Sequence, residues 1–237
     1  MPKESVVFLH GWPGDESTYG KLPNVLAQSR YESKHVYLGE YVTGWDDITI
    51  DDLAIAFQSA LIKQKILERG PFHCVVHSTG ALVARNWIHR FHAGEKKQGL
   101  PMRHLVMAAP ANNGSRLAAW GKKLPWDWGN NILKALELAS TVSWDLNRAW
   151  MAEGYAELAN FFPTLLIGGN SDQDLPWYVE VFDKTIGRME KDVPVFEEEG
   201  SDNTVRGCAA NLNMEYLRYE AGSKEPVARA GMGGMPV

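Results

Sequence analysis

The residues with the clearest chemical potential surround Ser78, in the segment FHCVVHSTGALVAR at residues 72–85. An apolar run that suits a buried strand leads into the turn HSTG, and a helical pattern begins directly after it. This strand–turn–helix context is the one that a G-x-S-x-G nucleophile elbow requires. Such a turn lifts the serine hydroxyl above the sheet in a strained conformation, and the helix N-terminus helps to stabilise negative charge there. We therefore predict that Ser78 is a nucleophile; the alternative is that it only caps the helix.

A second glycine-rich turn, HGWPG at residues 10–14, follows the apolar run VVFL at residues 6–9. Together with the Ser78 segment, this loop resembles the α/β-hydrolase superfamily, and within it the bacterial lipase and esterase branch. The resemblance extends from Val6 to about Tyr216. It implies that the backbone N–H groups of Trp12 and Thr79 form an oxyanion hole, and that His10 holds the loop in place. One position departs from the family pattern, since Val76 replaces the first glycine of the pentapeptide.

The acid of the catalytic triad has two candidates. Asp202 lies in GSDNTV at residues 200–205, which resembles the segment that carries the acid in lipases of this branch. Asp172 follows the strand-like run Thr164–Ile167 and occupies the usual place after a late strand. We favour Asp202 and keep Asp172 as the second choice. The alternatives without catalysis are a helix N-cap for Asp202 and a loop turn for Asp172.

The catalytic base is unknown, because the family order is serine, then acid, then histidine. The seven histidines all precede residue 105, and none follows Asp202; they are His10, His35, His73, His77, His89, His92 and His104. Three interpretations stay open. The chain is a piece of a longer enzyme, or a hydrolase-fold protein that has lost its triad, or one in which an upstream histidine substitutes for the base.

The coarse pattern of elements predicts an α/β fold with a mostly parallel sheet flanked by helices. Strands are expected at residues 6–9, 35–38, 72–76, 104–108 and 164–167, and helices at residues 51–68, 81–91 and 131–138. We predict a single domain over residues 1–237, with an insertion over about 111–160 as a cap or lid above the carboxyl ends of the strands. Five of the nine tryptophans fall in this insertion, so we expect part of it to line a groove for an apolar group. We expect the last strand of the family to be missing, because the tail Gly231–Val237 resembles neither a strand nor a histidine loop.

Composition excludes several classes of protein. Hydrophobic residues make up 45% of the chain, which is ordinary for a globular domain. The net charge is −5, so the chain has no excess of positive charge that would attract nucleic acid. Two cysteines cannot form a disulfide framework, and no apolar run reaches the length of a membrane span. The N-terminus leads directly into a strand, so we expect a cytoplasmic protein. No motif for a cofactor or a metal is visible.

These observations predict a serine carboxylic-ester hydrolase, a lipase or esterase that acts on an apolar acyl ester or lipid through an acyl-enzyme on Ser78. The alternative is a catalytically impaired or truncated hydrolase-fold protein that binds a lipid or a partner. The sequence does not indicate an oligomeric state.

Overall fold

The structure is a computed structural model that describes residues 3–11, 14–36, 48–92, 99–115, 118, 130–137, 140–143, 145–146, 164–167, 215–218 and 228–231. The strands, in chain order, are β1 (Glu4–Leu9), β2 (Tyr31–Val36), β3 (Phe72–His77), β4 (Met102–Ala108), β5 (Thr164–Ile167), β6 (Glu215–Arg218) and β7 (Ala228–Gly231). The α-helices are α1 (Leu22–Ala27), α2 (Ile50–Lys63), α3 (Gly80–His92) and α4 (Asn130–Leu136), and short 3₁₀ turns cover Glu16–Tyr19 and Leu67–Arg69.

Five strands form a parallel sheet in the order β2-β1-β3-β4-β5. Because the strands are parallel, their carboxyl ends meet at one edge of the sheet. The register places Leu9 beside Val76, and Val76 beside Met107. The loops after β1, β3 and β4 therefore emerge next to one another, which is where ligands of open α/β sheets bind.

The sheet has a core on each face, although the two differ in size. On one face Val7, Leu9, Cys74 and Val76 are fully buried in the large cluster that includes residues of α2 and α3. On the other face Val6, Phe8 and Val75 form a smaller cluster. Because both faces of β1 and β3 are buried, the two strands contain runs of apolar residues, and these runs were the basis for predicting them from the sequence. Burial also raises the pKa of the Cys74 thiol, which behaves as a small apolar group.

Helix α2 begins as its sequence indicates and ends earlier than expected. Thr49 and Asp52 form a reciprocal capping box at its start. The spacing predicted a helix as far as Glu68, but α2 ends at Lys63. Lys65 takes a φ of 57°, a left-handed conformation that stops the α-helix, and the chain continues in the 3₁₀ turn Leu67–Arg69.

The second strand lies earlier than the sequence predicted. We expected residues 35–38, and β2 covers Tyr31–Val36. At the end of the described sheet, β2 pairs with β1 along its whole length and needs no apolar run of its own. It instead carries charged residues, and Glu32 pairs with Lys34 at 2.6 Å and with Arg69 at 2.8 Å. Charges of this kind protect an edge strand against pairing with other chains.

The C-terminal half confirms two predicted elements and adds two that were not predicted. Strand β5 lies where expected and pairs with β4, and α4 covers most of the helix predicted at residues 131–138. Strands β6 and β7 pair with each other in antiparallel fashion. The expectation that the tail Gly231–Val237 contains no strand was wrong for its first residue, because Gly231 belongs to β7. Among the described strands β5 ends the sheet, and the single domain with a cap over residues 111–160 stays a prediction.

Within the described ranges, no helix combines the length and apolar character needed to cross a bilayer.

A polar cluster joins three strands at the amino end of the sheet, away from Ser78. The Nε2 atom of His73 lies 2.9 Å from Glu4 Oε2, and the Nδ1 atoms of His73 and His104 are 2.8 Å apart. Arg103 also contacts Glu4, at 3.3 Å. The hydrogen bond from His73 is the main cause that lowers the pKa of Glu4, and desolvation lowers the pKa of His104.

This cluster should make the protein less stable as the pH falls. The pKa values of Glu4 and His104 are lower in the folded state than their usual values of 4.5 and 6.5. The unfolded chain therefore binds these protons first, and stability present at neutral pH is lost from about pH 6.5 downward. We expect the melting temperature to depend less on pH in a Glu4→Gln, His104→Gln double variant than in the wild type. Glu68→Gln, at an exposed site, is the control, and an equally steep dependence in the double variant would contradict the prediction.

Candidate active site

Ser78 adopts the strained backbone that the sequence predicted for it. It lies between β3 and α3 with a φ of 50°, one of three positive values among the described residues other than glycine. A left-handed conformation is uncommon for serine and persists only where the surrounding structure holds it. Here the Ser78 N–H donates to the Ala108 carbonyl at 3.1 Å, and the Ser78 carbonyl accepts from Ala81 at 3.1 Å and from Ala111 at 3.3 Å.

Gly80 allows the first turn of α3 to lie against the end of β1. A Cβ atom at this position would stand 2.7 Å from the Leu9 carbonyl oxygen and 2.9 Å from that of His10. Both atoms belong to the backbone, so no side chain can be accommodated without moving it. The start of α3 therefore packs closely against the end of β1.

Gly11 brings the loop after β1 directly against Ser78. A Cβ atom on Gly11 would lie 2.7 Å from Ser78 Cβ and 3.0 Å from the His77 carbonyl oxygen. The two glycine-rich turns singled out in the sequence are therefore in contact. Trp12, the first predicted oxyanion donor, lies outside the described residues.

His10 holds this loop by a bond to its neighbour. Its Nδ1–H donates to the Gly11 carbonyl at 2.7 Å, and the Gly14 N–H donates to the same oxygen at 2.8 Å. The ring of His10 is buried. This is the structural role that the sequence analysis expected for His10.

Thr79, the second predicted oxyanion donor, is buried at the start of α3. Its carbonyl accepts from Leu82 at 3.0 Å and from Val83 at 3.2 Å, so it takes part in the first turn of the helix. Within the described part of the chain its N–H donates to no backbone group, and its Oγ1 has no partner. Amide groups at a helix N-terminus are suited to an anion.

All seven histidines lie in the described ranges, and none of them is hydrogen-bonded there to the Ser78 hydroxyl. His73 and His104 belong to the cluster at the opposite end of the sheet. His77 adjoins Ser78, but its Nδ1 faces Gly11 and is buried. The base is thus still unassigned, and both candidate acids, Asp202 and Asp172, lie outside the described residues. The same holds for the five clustered tryptophans: Trp120, Trp126, Trp128, Trp144 and Trp150.

Sequence analysis missed a half-buried residue, Tyr19, that joins the first and third strands. The Tyr19 hydroxyl donates to the Leu9 carbonyl at 2.5 Å and approaches the Val75 carbonyl at 3.1 Å. Burial raises the pKa of Tyr19 well above its usual range, so the hydroxyl stays protonated as a donor. Tyr19 therefore ties the end of β1, where the His10 loop begins, to β3. A tyrosine in a 3₁₀ turn has no pattern that would have revealed this.

Sequence analysis also missed a pair of buried residues close to the Ser78 turn. Arg85 of α3 and Asn112 of the loop after β4 are both fully buried, and Arg85 Nη1 donates to Asn112 Oδ1 at 3.2 Å. The available signal was an arginine within an otherwise apolar helical face, seven residues after Ser78.

Comparison with known structures identifies the class of fold. The chain is similar to phospholipase PlaB from Legionella pneumophila, solved in complex with thio-NAD, with 30% identity and a TM-score of 0.70. The match covers 89% of this chain and 44% of PlaB, so the chain spans less than half of that protein. It is also similar to the mature form of Bacillus licheniformis lipase BlEst2, with 15% identity, a TM-score of 0.60 and coverage of 90% of this chain and 80% of BlEst2.

The chain has an α/β-hydrolase fold, and the structures that it resembles include a phospholipase and a lipase from bacteria. No family model matches the chain, and no curated protein matches its sequence. The similarity to these solved structures confirms the predicted fold class.

Proposed function

We propose that the protein is a serine carboxylic-ester hydrolase that forms an acyl-enzyme on Ser78. The observation that carries this proposal is the positive φ of Ser78 at a strand–turn–helix junction, at the carboxyl edge of a parallel sheet. A nucleophile elbow requires such a strained turn between strand and helix, so this conformation supports the proposal. The lipase and phospholipase names of the similar structures support the same class of reaction.

In this mechanism the Ser78 hydroxyl oxygen attacks the acyl carbonyl carbon, and its proton passes to a base. The Thr79 amide lies at the start of α3, and with the Trp12 amide it would stabilise the negative oxygen of the tetrahedral intermediate. Collapse of the intermediate releases the alcohol, which takes up the proton. Water then attacks the acyl-enzyme and frees the acid. Asp202, or Asp172 as second choice, would orient the base, which is a histidine not assigned to any position.

The proposed substrate is an ester or lipid with an apolar acyl chain. Two observations support this class. PlaB is a phospholipase and BlEst2 is a lipase by name. The tryptophan-rich segment follows the loop that contacts Ser78, so the cap predicted there would lie near the acyl group.

A second candidate is a lipid- or partner-binding module on the same fold. It is favoured by one observation, namely that none of the seven histidines is hydrogen-bonded to Ser78 within the described ranges. A serine without a base would turn over slowly, because the oxyanion donors and substrate binding alone provide only part of the rate acceleration.

A fluorophosphonate probe tests the proposal directly. We expect it to modify Ser78 covalently, as identified by peptide mass spectrometry, because such probes react with serines that have an activated hydroxyl. Ser78→Ala should remove the labelling, whereas the control Ser59→Ala, at an exposed position on α2, should not. Labelling at another serine in a protein that hydrolyses esters would contradict the assignment. Absence of labelling together with lipid binding would favour the second candidate.

A further inference from the structure

Arg85, which is fully buried, lies in the helix that follows the Ser78 turn. Both Arg85 and Asn112 have none of their surface exposed, and the Arg85 guanidinium donates to the Asn112 side-chain oxygen at 3.2 Å. The nitrogen of the same side-chain amide donates a hydrogen bond as well, since Asn112 Nδ2 lies 3.6 Å from the Met107 sulfur. Burying a guanidinium costs free energy, so we expect the buried Arg85 to have a specific structural or functional role.

The backbone of Ser78 is held by the last residue of β4 and by the loop that follows β4 and contains Asn112. Ala108 accepts the hydrogen bond from the Ser78 N–H, and Ala111 donates one to the Ser78 carbonyl. The loop itself is sharply turned, with a φ of 41° at Ala109 and a bond of 3.0 Å from the Gly114 N–H to the Ala111 carbonyl. Asn112 is the next residue after the donor at Ala111, so its anchor controls the position of that donor.

Arg85 reaches this loop from the helix that begins at the Ser78 turn. Helix α3 begins at Gly80, two residues after Ser78, and Arg85 lies in its second turn. The guanidinium that anchors the loop therefore belongs to the element that directly follows the Ser78 turn.

We propose that Arg85 is a positioning residue that acts through Asn112 to keep Ser78 in its left-handed conformation. The guanidinium fixes the Asn112 side chain, Asn112 fixes the loop after β4, and this loop, together with the end of β4, holds the Ser78 backbone. A strained residue keeps its conformation only when such contacts outweigh the strain. The consequence for catalysis rests on the proposed function of Ser78, whereas the positioning itself does not.

The test compares two variants that break the anchor with two that do not. Asn112→Leu keeps the approximate size and removes the acceptor for Arg85, and Asn112→Ala replaces it if the leucine variant does not fold. Asn112→Asp retains an oxygen acceptor and should restore most of the wild-type behaviour. The control is Asn86→Leu. Asn86 lies next to Arg85 in α3, and the substitution removes its side-chain hydrogen bond to Asp51 without changing the loop.

The first readout is amide hydrogen exchange at Ser78 and Ala111, measured by NMR below the melting temperature of each variant. We expect exchange at these two amides to accelerate about tenfold or more in Asn112→Leu or Asn112→Ala. Asn86→Leu should lower the melting temperature without this local change. Unchanged exchange at both amides in the folded variants that lack the acceptor would overturn the proposal.

The second readout is the rate of fluorophosphonate labelling at Ser78. The anchor-breaking variants should lose about 10- to 100-fold in the maximal labelling rate with little change in the probe concentration for half-maximal rate, because the nucleophile is misplaced but the site is kept. An equal loss in Asn86→Leu would show that only general stability matters and would overturn the proposal. If the wild type is not labelled, the proposed function fails, and hydrogen exchange alone still decides the positioning role.

Discussion

Replacing Ser78 with alanine should lower kcat for a short-chain ester by about four to six orders of magnitude. The substitution removes the hydroxyl that forms the acyl-enzyme and leaves the surrounding backbone intact. Alanine keeps the Cβ atom that packs against Gly11, and it experiences the same strain at a φ of 50° as serine does. The melting temperature should therefore change little while the activity is lost.

Steady-state hydrolysis of a chromogenic acyl ester provides the measurement. Ser59→Ala serves as the matched control, since it removes an exposed hydroxyl bonded to the Ile55 carbonyl in the middle of α2. If wild type and Ser78→Ala hydrolyse the ester at the same measurable rate, the nucleophile is another group. If neither shows a rate above the uncatalysed reaction, the binding module becomes the better account of this fold.

The Ser78 turn could be predicted from sequence because its determinants are local. A buried strand, a small-residue turn and an amphipathic helix follow one another within residues 72–92, so the pattern alone indicates where the chain must bend. Gly80, at the start of this helix, lies so close to the end of β1 that two backbone oxygens are within 2.9 Å of the position of its absent Cβ. Local pattern also identified β1, β3, β4, β5 and most of α2 and α3.

Contacts between segments far apart in the chain could not be predicted in this way. The pairing of Arg85 with Asn112, and the ties from Ser78 to the loop after β4, depend on how α3 and β4 pack together. Nothing in the composition of either segment specifies the partner. The same reason explains Tyr19, whose hydroxyl bonds two carbonyls that are 66 residues apart in sequence.

Edge elements were predicted less well because they depend less on hydrophobic pattern. Strand β2 pairs on one side only within the described sheet and contains Glu32 and Lys34, so periodicity placed it four residues too late. The end of α2 was misplaced for a different reason. Lys65 adopts a left-handed conformation that no propensity rule assigns to lysine.

The choice between the two candidate acids leads to the second large expected effect. Asp202→Asn should lower kcat by about 10⁴-fold, whereas Asp172→Asn should leave it within a few-fold of the wild type. An amide in place of the carboxylate keeps the shape of the side chain but no longer stabilises the imidazolium that forms during attack. It also favours the wrong tautomer of the base, so the loss falls on kcat and not on KM.

The pair is informative because the two substitutions are chemically identical and differ only in position. Measurement of kcat and KM for both variants on one ester, with the melting temperature as a check on folding, separates an acid that orients the base from an aspartate that only stabilises a loop. The reverse result, a large loss in Asp172→Asn alone, would move the acid to the loop after β5. Equal and small losses would mean that neither aspartate orients a base, and the assignment of the acid to Asp202 or Asp172 would then be wrong.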